Sequence, residues 1–114
     1  MTNLITIERT RGKVTFLYGV RTLSVASKLK GIDGIGQFMQ SMLNPSFEDF
    51  AIMLFAGHEN ACFDQKKDLV FLVVDDCFKL IEEIGLAEAV KITTKGIEYM
   101  AGMLTGGKKK VEAK

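Results

Sequence analysis

The chain has 114 residues, of which 47% are hydrophobic and 25% are charged, and its formal net charge is +1. This is the length of one ordinary domain, and the 36 Leu, Ile, Val and Phe residues are far too many for a disordered chain. The longest aliphatic and aromatic run, 69–74, has six residues, whereas a membrane-spanning helix needs about 20. The sequence therefore predicts a soluble globular domain that does not span a membrane.

Charge is distributed unevenly along the chain. The net charge is +5 over residues 1–30, −5 over 31–64, −3 over 65–90 and +4 over 91–114. A nucleic-acid-binding protein normally has a larger basic excess, so we expect no nucleic-acid partner. A small DNA-associated protein that uses the basic hairpin is kept as an alternative.

The sequence also bears on the cellular compartment. The first residues have neither the basic start nor the long apolar segment of a signal peptide. Two cysteines, Cys62 and Cys77, fit a reduced protein better than a disulfide scaffold. We therefore expect a protein of the cytoplasm.

The N-terminal third predicts a β-hairpin followed by helices. Apolar residues alternate with polar ones on both arms of residues 4–18, and the connection 10–12 contains the glycine of a tight turn. Over 20–30 the apolar period becomes 3.6 residues, which predicts a helix that Gly31 closes. A loop over 31–36 and a short second helix follow.

The third predicted helix has the clearest signals. Ser46 with Asp49 three residues later is typical of a capping box, with Asp in place of the usual Glu or Gln. Apolar residues then recur at helical spacing as far as His58. The core residues predicted from this stripe are Phe47, Phe50, Leu54 and Phe55.

Two more helices are predicted after a loop at 60–65. Residues 67–84 keep helical register for four turns, so their length favours a helix over a buried strand, with Gly85 as the C-cap. The last helix covers 87–104, and its glycines Gly96 and Gly102 each cost up to about 1 kcal/mol relative to alanine.

The predicted fold is mainly α with a short N-terminal β-hairpin, a small α+β protein built as a bundle of about four to five helices. One globular domain is expected over 1–105, and a flexible basic tail over 106–114.

His58 and Cys62 are the first candidates for chemistry, four residues apart. Zinc needs four ligands, or three and a water molecule, so Cys77 with Glu59 or Asp64 would have to converge on them. A nucleophilic Cys–His pair would need a third, orienting group that no motif supplies. A single histidine on an apolar helix face is more often a packed or capping residue.

No other cluster predicts an active site. The glycines of 31–36 have the order G-x-x-G-x-G rather than the dinucleotide fingerprint G-x-G-x-x-G. The acidic pairs 75–76 and 82–83 lie on a predicted helix, where adjacent side chains point about 100° apart. We therefore expect a non-enzymatic protein with no catalytic residues, no metal site and no cofactor.

Eight Phe and six Met residues are the more unusual feature of the sequence. Flexible thioethers at a surface suit the binding of apolar helices from a partner. Met53 lies off the apolar stripe of the third helix, and Met39 and Met42 follow the glycine-rich loop. We predict that Met39, Met42 and Met53 bind a partner, with core packing as the alternative.

Three stretches of the sequence occur in an informative order. The hairpin ends in FLYG (16–19), an aromatic-x-x-Gly sequence, and PSFEDF (45–50) leads into AIMLFAGHE (51–59). An acidic stretch, IEEIGLAE (81–88), follows. In the order of its elements and in these motifs, the chain resembles the tail assembly chaperones of long-tailed bacteriophages over residues 4–90.

The resemblance implies a small non-enzymatic protein that binds the tape measure protein, with the tail tube protein as a second partner. It would keep the tape measure protein soluble in the host cell cytoplasm during tail assembly and be absent from the finished virion. It also implies a homo-oligomer and a longer product made by ribosomal frameshifting. The alternative is a small structural or adaptor protein of the phage tail that is retained in the particle.

The sequence GGKKK (106–110) bears on the frameshift. These residues can be encoded by a heptamer on which a ribosome slips back by one base. We hypothesise that they mark the slip site, and an ordinary solubilising tail is the alternative.

Overall fold

A computed structural model describes residues 4–9 and 11–112 of the chain. In chain order the elements are β1 (Leu4–Arg9), β2 (Gly12–Leu17), α1 (Val20–Lys30), α2 (Ile35–Ser41), α3 (Phe47–Gln65), α4 (Val74–Ile84) and α5 (Leu86–Glu112). The protein is a small, mainly helical α+β fold that begins with a two-stranded antiparallel hairpin. The predicted fold class is therefore confirmed.

The hairpin packs on the helices through one face of β2. Its register runs from the pair Leu4–Leu17 to the pair Arg9–Gly12, and Gly12 has a φ of 121° that only glycine adopts easily. Residue 10 of the predicted connection lies outside the described residues. The buried side chains on β2 and directly after it are Val14, Phe16 and Tyr18. Since an isolated hairpin is barely stable in water, this face and the helices stabilise each other.

The buried ring of Tyr18 lies between α3 and α5. Its hydroxyl donates to the carbonyl oxygen of Met53 at 3.1 Å. A Cβ atom placed on Gly57 would lie 2.6 Å from the ring, and one placed on Gly96 would lie 2.7 Å from it. Both helices can therefore approach the ring only because these two positions lack a side chain. Gly96, which the sequence predicts as a weak point of the last helix, is a packing requirement.

The capping box at the start of α3 is confirmed. Ser46 Oγ accepts from the amide of Asp49 at 3.2 Å, and the Asp49 carboxylate accepts from the amide of Ser46 at 2.8 Å. The ammonium of Lys30 forms an ion pair with the same carboxylate and connects the end of α1 to the start of α3. Burial opposes the charge on Asp49, but Lys30 and the Ser46 amide outweigh it and lower the pKa of this carboxyl.

The core prediction for α3 is partly wrong. Leu54 is fully buried, and Phe55 is partly buried against the core, but Phe50 is only half-buried and Phe47 is 65% exposed. Phe47 is the first residue of the helix, so the apolar stripe of the sequence continues one turn beyond the packed part.

We expect Phe47→Ala to change the free energy of unfolding by less than about 0.5 kcal/mol, because the ring is mostly in solvent already. Urea denaturation measures this, with Leu54→Ala as the buried comparison. A loss at Phe47 as large as the loss at Leu54 would contradict the placement of the ring.

The boundary between α3 and α4 also differs from the prediction. α3 continues to Gln65, so the predicted loop at 60–65 is helical, whereas residues 67–73 of the predicted helix 67–84 are not. Lys66 takes a left-handed conformation that ends α3. The Asp76 carboxylate accepts from the amides of Leu72 and Val73 at 2.8 and 3.3 Å and so fixes the start of α4. These end signals override the helical periodicity.

α5 also extends beyond the predicted boundary, since its backbone is helical to Glu112 rather than to residue 104. Residues 113–114 lie outside the described residues. The mobility expected of the tail 106–114 stays a prediction.

Candidate functional site

His58 lies where α3 meets both β2 and the chain between α3 and α4. Its Nδ1 is 3.2 Å from the carbonyl oxygen of Thr15, and its Nε2 is 2.9 Å from the amide nitrogen of Val70. Since a backbone amide can only donate, Nε2 accepts from Val70, and Nδ1 carries the proton and donates to Thr15. One neutral imidazole therefore holds three parts of the chain together.

The surroundings of His58 keep the ring neutral. The side chain is buried, and the rings of Phe71 and Phe16 contact it edge-on at centroid distances of 4.8 and 6.3 Å. Burial lowers the pKa of His58 below its ordinary value of 6.5, and the charge of Arg9 lowers it further. The bond to Thr15 and the charge of Glu59 oppose this shift only in part.

Cys62 contacts the same imidazole but lacks the properties of an activated nucleophile. Its Sγ is 3.4 Å from Nε2 of His58, whose lone pair is already occupied by the amide of Val70. Burial raises the pKa of the Cys62 thiol, whereas a reactive cysteine needs a lowered one. Burial also raises the pKa of Cys77, to about 12. The geometry is that of a packed histidine beside a packed thiol.

The zinc site considered from the sequence does not form in the part of the chain that the structure covers. Among the residues whose side chains are described, 4–9 and 11–104, no three His, Cys, Asp or Glu side chains are grouped so as to hold a metal ion.

A second polar cluster covers the outer edge of β2. Asn60 Nδ2 donates to the carbonyl oxygen of Leu17 and to Thr22 Oγ1, each at 3.0 Å. Thr22 Oγ1 in turn donates to the same carbonyl at 2.7 Å and accepts from the amide of Gly19. This cluster could not be predicted from the sequence, because nothing in the local pattern shows that α3 lies along β2.

Residues 69–73, which we call the apolar segment, are a run of apolar residues of which four are exposed. Phe71 is its anchor, buried under the Arg9 guanidinium and against His58. The flanking side chains are in solvent, and Leu72 is 70% exposed. The exposed members are Leu69, Val70, Leu72 and Val73. Adjacent exposed apolar side chains on a folded protein commonly mark an interaction surface.

The methionines predicted to bind a partner lie elsewhere. Met53 is fully buried and Met42 is buried, so the prediction that they lie at the surface is wrong, and Met39 is partly buried against the core. Met53 lies off the stripe of α3 because α3 is packed on more than one side, and its backbone carbonyl accepts from Tyr18. The apolar segment, by contrast, has four neighbouring apolar residues that are exposed.

No helix among the described residues combines the length and the hydropathy needed to cross a bilayer. No protein-family model, curated protein or solved structure matches the chain.

Proposed function

We propose that the protein is a non-enzymatic chaperone of phage tail assembly, which binds the tape measure protein and keeps it soluble. The observation that carries the proposal is the apolar segment, four of whose five side chains are exposed around the buried anchor Phe71. Fully burying one Leu or Val side chain is worth about 1.5–3 kcal/mol. A partner that covers several of these side chains would therefore gain substantial affinity.

The surroundings of the apolar segment suit an amphipathic helix. A cavity of about 490 Å³ lies beside Leu72 and Phe71 and is bordered by charged side chains of both signs. The bordering charged residues are Arg9, Arg11, Asp76, Lys79, Glu82 and Glu83. An apolar surface with a charged rim matches the way in which grooves bind a partner helix, with apolar contacts at the centre and polar ones at the edge.

The resemblance to tail assembly chaperones supports the identity of the partner. We also propose that the protein forms a homo-oligomer, and that ribosomal frameshifting at 106–110 gives a longer product with an additional C-terminal part. We expect a reading frame for a long helical protein immediately downstream of the gene, and lysine codons that form a slippery heptamer. If AAG codons interrupt the run of adenines and no reading frame overlaps the end of the gene, the frameshift part of the proposal is contradicted.

Co-expression with the long helical protein encoded downstream tests the chaperone role. We expect the wild-type chain to raise the soluble fraction of that protein. The double variant Leu72→Asp, Val73→Asp should lose this effect, because charged groups in the contact would be desolvated. Leu43→Asp is the matched control, since Leu43 is 82% exposed at the end of α2 and lies outside the apolar segment. Equal soluble fractions with and without the wild-type chain would contradict the role.

Mass spectrometry of purified virions separates the proposal from the structural alternative. A chaperone should be present in the infected cell and absent from the particle. A fixed number of copies in the particle would instead support a tail adaptor.

A further inference from the structure

The two edges of the hairpin differ in whether their backbone groups have partners. On β2, the carbonyl oxygens of Thr15 and Leu17 point away from β1 and accept from side chains of α1 and α3. In the antiparallel register Thr15 is opposite Thr6, and Leu17 is opposite Leu4. In an antiparallel pair, the amides and carbonyls of two opposite residues either all point towards the other strand or all point away from it. The amides and carbonyls of Thr6 and Leu4 therefore point away from β2.

The outer edge of β1 is therefore open. The amides and carbonyls of Leu4, Thr6 and, by the same alternation, Glu8 face outward, and no other described residue pairs with them. A groove of about 580 Å³ runs along this edge, between β1 and the corner of α4 and α5. Ile7 and Ile84 form its apolar part. An open strand edge beside an apolar groove is the geometry into which an extended segment is added as a further strand.

The charges around this groove define the partner. Glu8, Glu83 and Glu88 line it, and Arg9 pairs with Glu83 at 3.1 Å, so the lining has an acidic excess. Lys13 is opposite Glu8 on β2, but no ion pair joins these two described residues. A second copy of the chain, added antiparallel at the same edge, would bring the same carboxylates to the same face. Repulsion between the carboxylates of the two copies would oppose that pairing, whereas the lysine or arginine side chains of a different partner would be attracted to these carboxylates.

We propose that the open edge of β1 binds an extended segment of a partner protein, one that carries basic side chains among apolar ones. Its backbone pairs with Leu4, Thr6 and Glu8, and its apolar side chains lie on Ile7 and Ile84. Its basic side chains reach Glu8, on the face of the sheet opposite Ile7. This groove adjoins the cavity beside the apolar segment at Arg9 and Glu83, but none of residues 69–73 lines it, so the inference can be tested independently of the proposed chaperone role.

Fluorescence anisotropy with a labelled heptapeptide of alternating lysine and valine tests the inference on the full chain. We expect saturable binding, and about ten-fold or greater loss for the charge-reversed peptide of alternating glutamate and valine. Thr6→Pro removes an outward amide and no bond of the hairpin, so it should also lose about ten-fold or more. Thr6→Val keeps that amide and is the matched control, expected to bind like the wild type.

N-methylated peptides give a second readout that does not depend on the folding of a variant. Methylation of alternate amides should abolish binding to the wild-type chain in one of the two frames and leave it intact in the other, because only one set faces β1. Glu8→Gln should weaken binding, and Glu98→Gln, at an exposed position on α5, should not. Equal binding of both charge patterns, or of both N-methylated frames, would overturn the inference.

Discussion

His58→Ala is expected to lower the free energy of unfolding by about 2–4 kcal/mol, because the carbonyl of Thr15 and the amide of Val70 both lose their partner. Each backbone group left unsatisfied in a buried place costs about 1–3 kcal/mol, and the shortened side chain leaves a void between Phe16 and Phe71. Urea denaturation at neutral pH measures the loss.

The pH dependence of stability tests the same bonds in the unchanged protein. Because the pKa of His58 is lowered on folding, the unfolded chain takes up a proton that the folded chain resists. Stability should be complete above the ordinary pKa of 6.5 and should fall as the pH drops from there towards the folded-state pKa. The charges that face the ring are Arg9, which adds to the effect, and Glu59, which reduces it.

The control for this dependence is the His58→Ala variant, because the sequence contains no other histidine. Its stability should be nearly constant between about pH 7.5 and 5.5. A wild-type protein without a slope in this range, or a variant with the full slope, would contradict the assignment of a neutral, hydrogen-bonded His58.

Gly57→Ala and Gly96→Ala are each expected to lower the free energy of unfolding by about 1–3 kcal/mol. In a helix, replacing glycine by alanine normally stabilises by up to about 1 kcal/mol. Here the new methyl group would be within 2.6 to 2.9 Å of the buried Tyr18 ring, a ring enclosed by both helices. The ring or a helix must shift, and the packing loss exceeds the gain in propensity.

Gly102→Ala is the matched control on α5, because a Cβ atom there has no other heavy atom of the described residues within 4 Å. We expect it to be neutral or slightly stabilising. If thermal denaturation shows that Gly96→Ala behaves like Gly102→Ala, then α5 is not held against Tyr18 in the way described.

The parts of the fold that could be predicted from the sequence have local signals. The hairpin follows from alternation around Gly12, α1 from its period and the glycine at position 31, and the start of α3 from Ser46 and Asp49. In each case the residues that define the element are within a few positions of one another, so neighbours along the chain suffice.

The features that were missed or wrong depend on tertiary contacts. Phe47 has an apolar pattern but no neighbour to cover it, whereas Met53 lies off the stripe and is still fully buried. From the sequence alone Gly96 is expected only to weaken α5, whereas in the structure the absence of a side chain there makes room for the Tyr18 ring. Residues 69–73 fit a helix by period, yet the left-handed Lys66 and the Asp76 cap exclude them from one. Their exposure, which carries the functional proposal, follows from that irregular backbone.

Hydrogen–deuterium exchange on a complex with the proposed partner, the long helical protein that we expect to be encoded downstream, is the most direct test of the central claim. The claim is that the apolar segment, anchored by Phe71, binds an apolar helical partner. The account predicts that the two proteins copurify and that exchange at residues 69–73 becomes slower in the complex. A failure to copurify, or a complex in which exchange at 69–73 is unchanged, would contradict it.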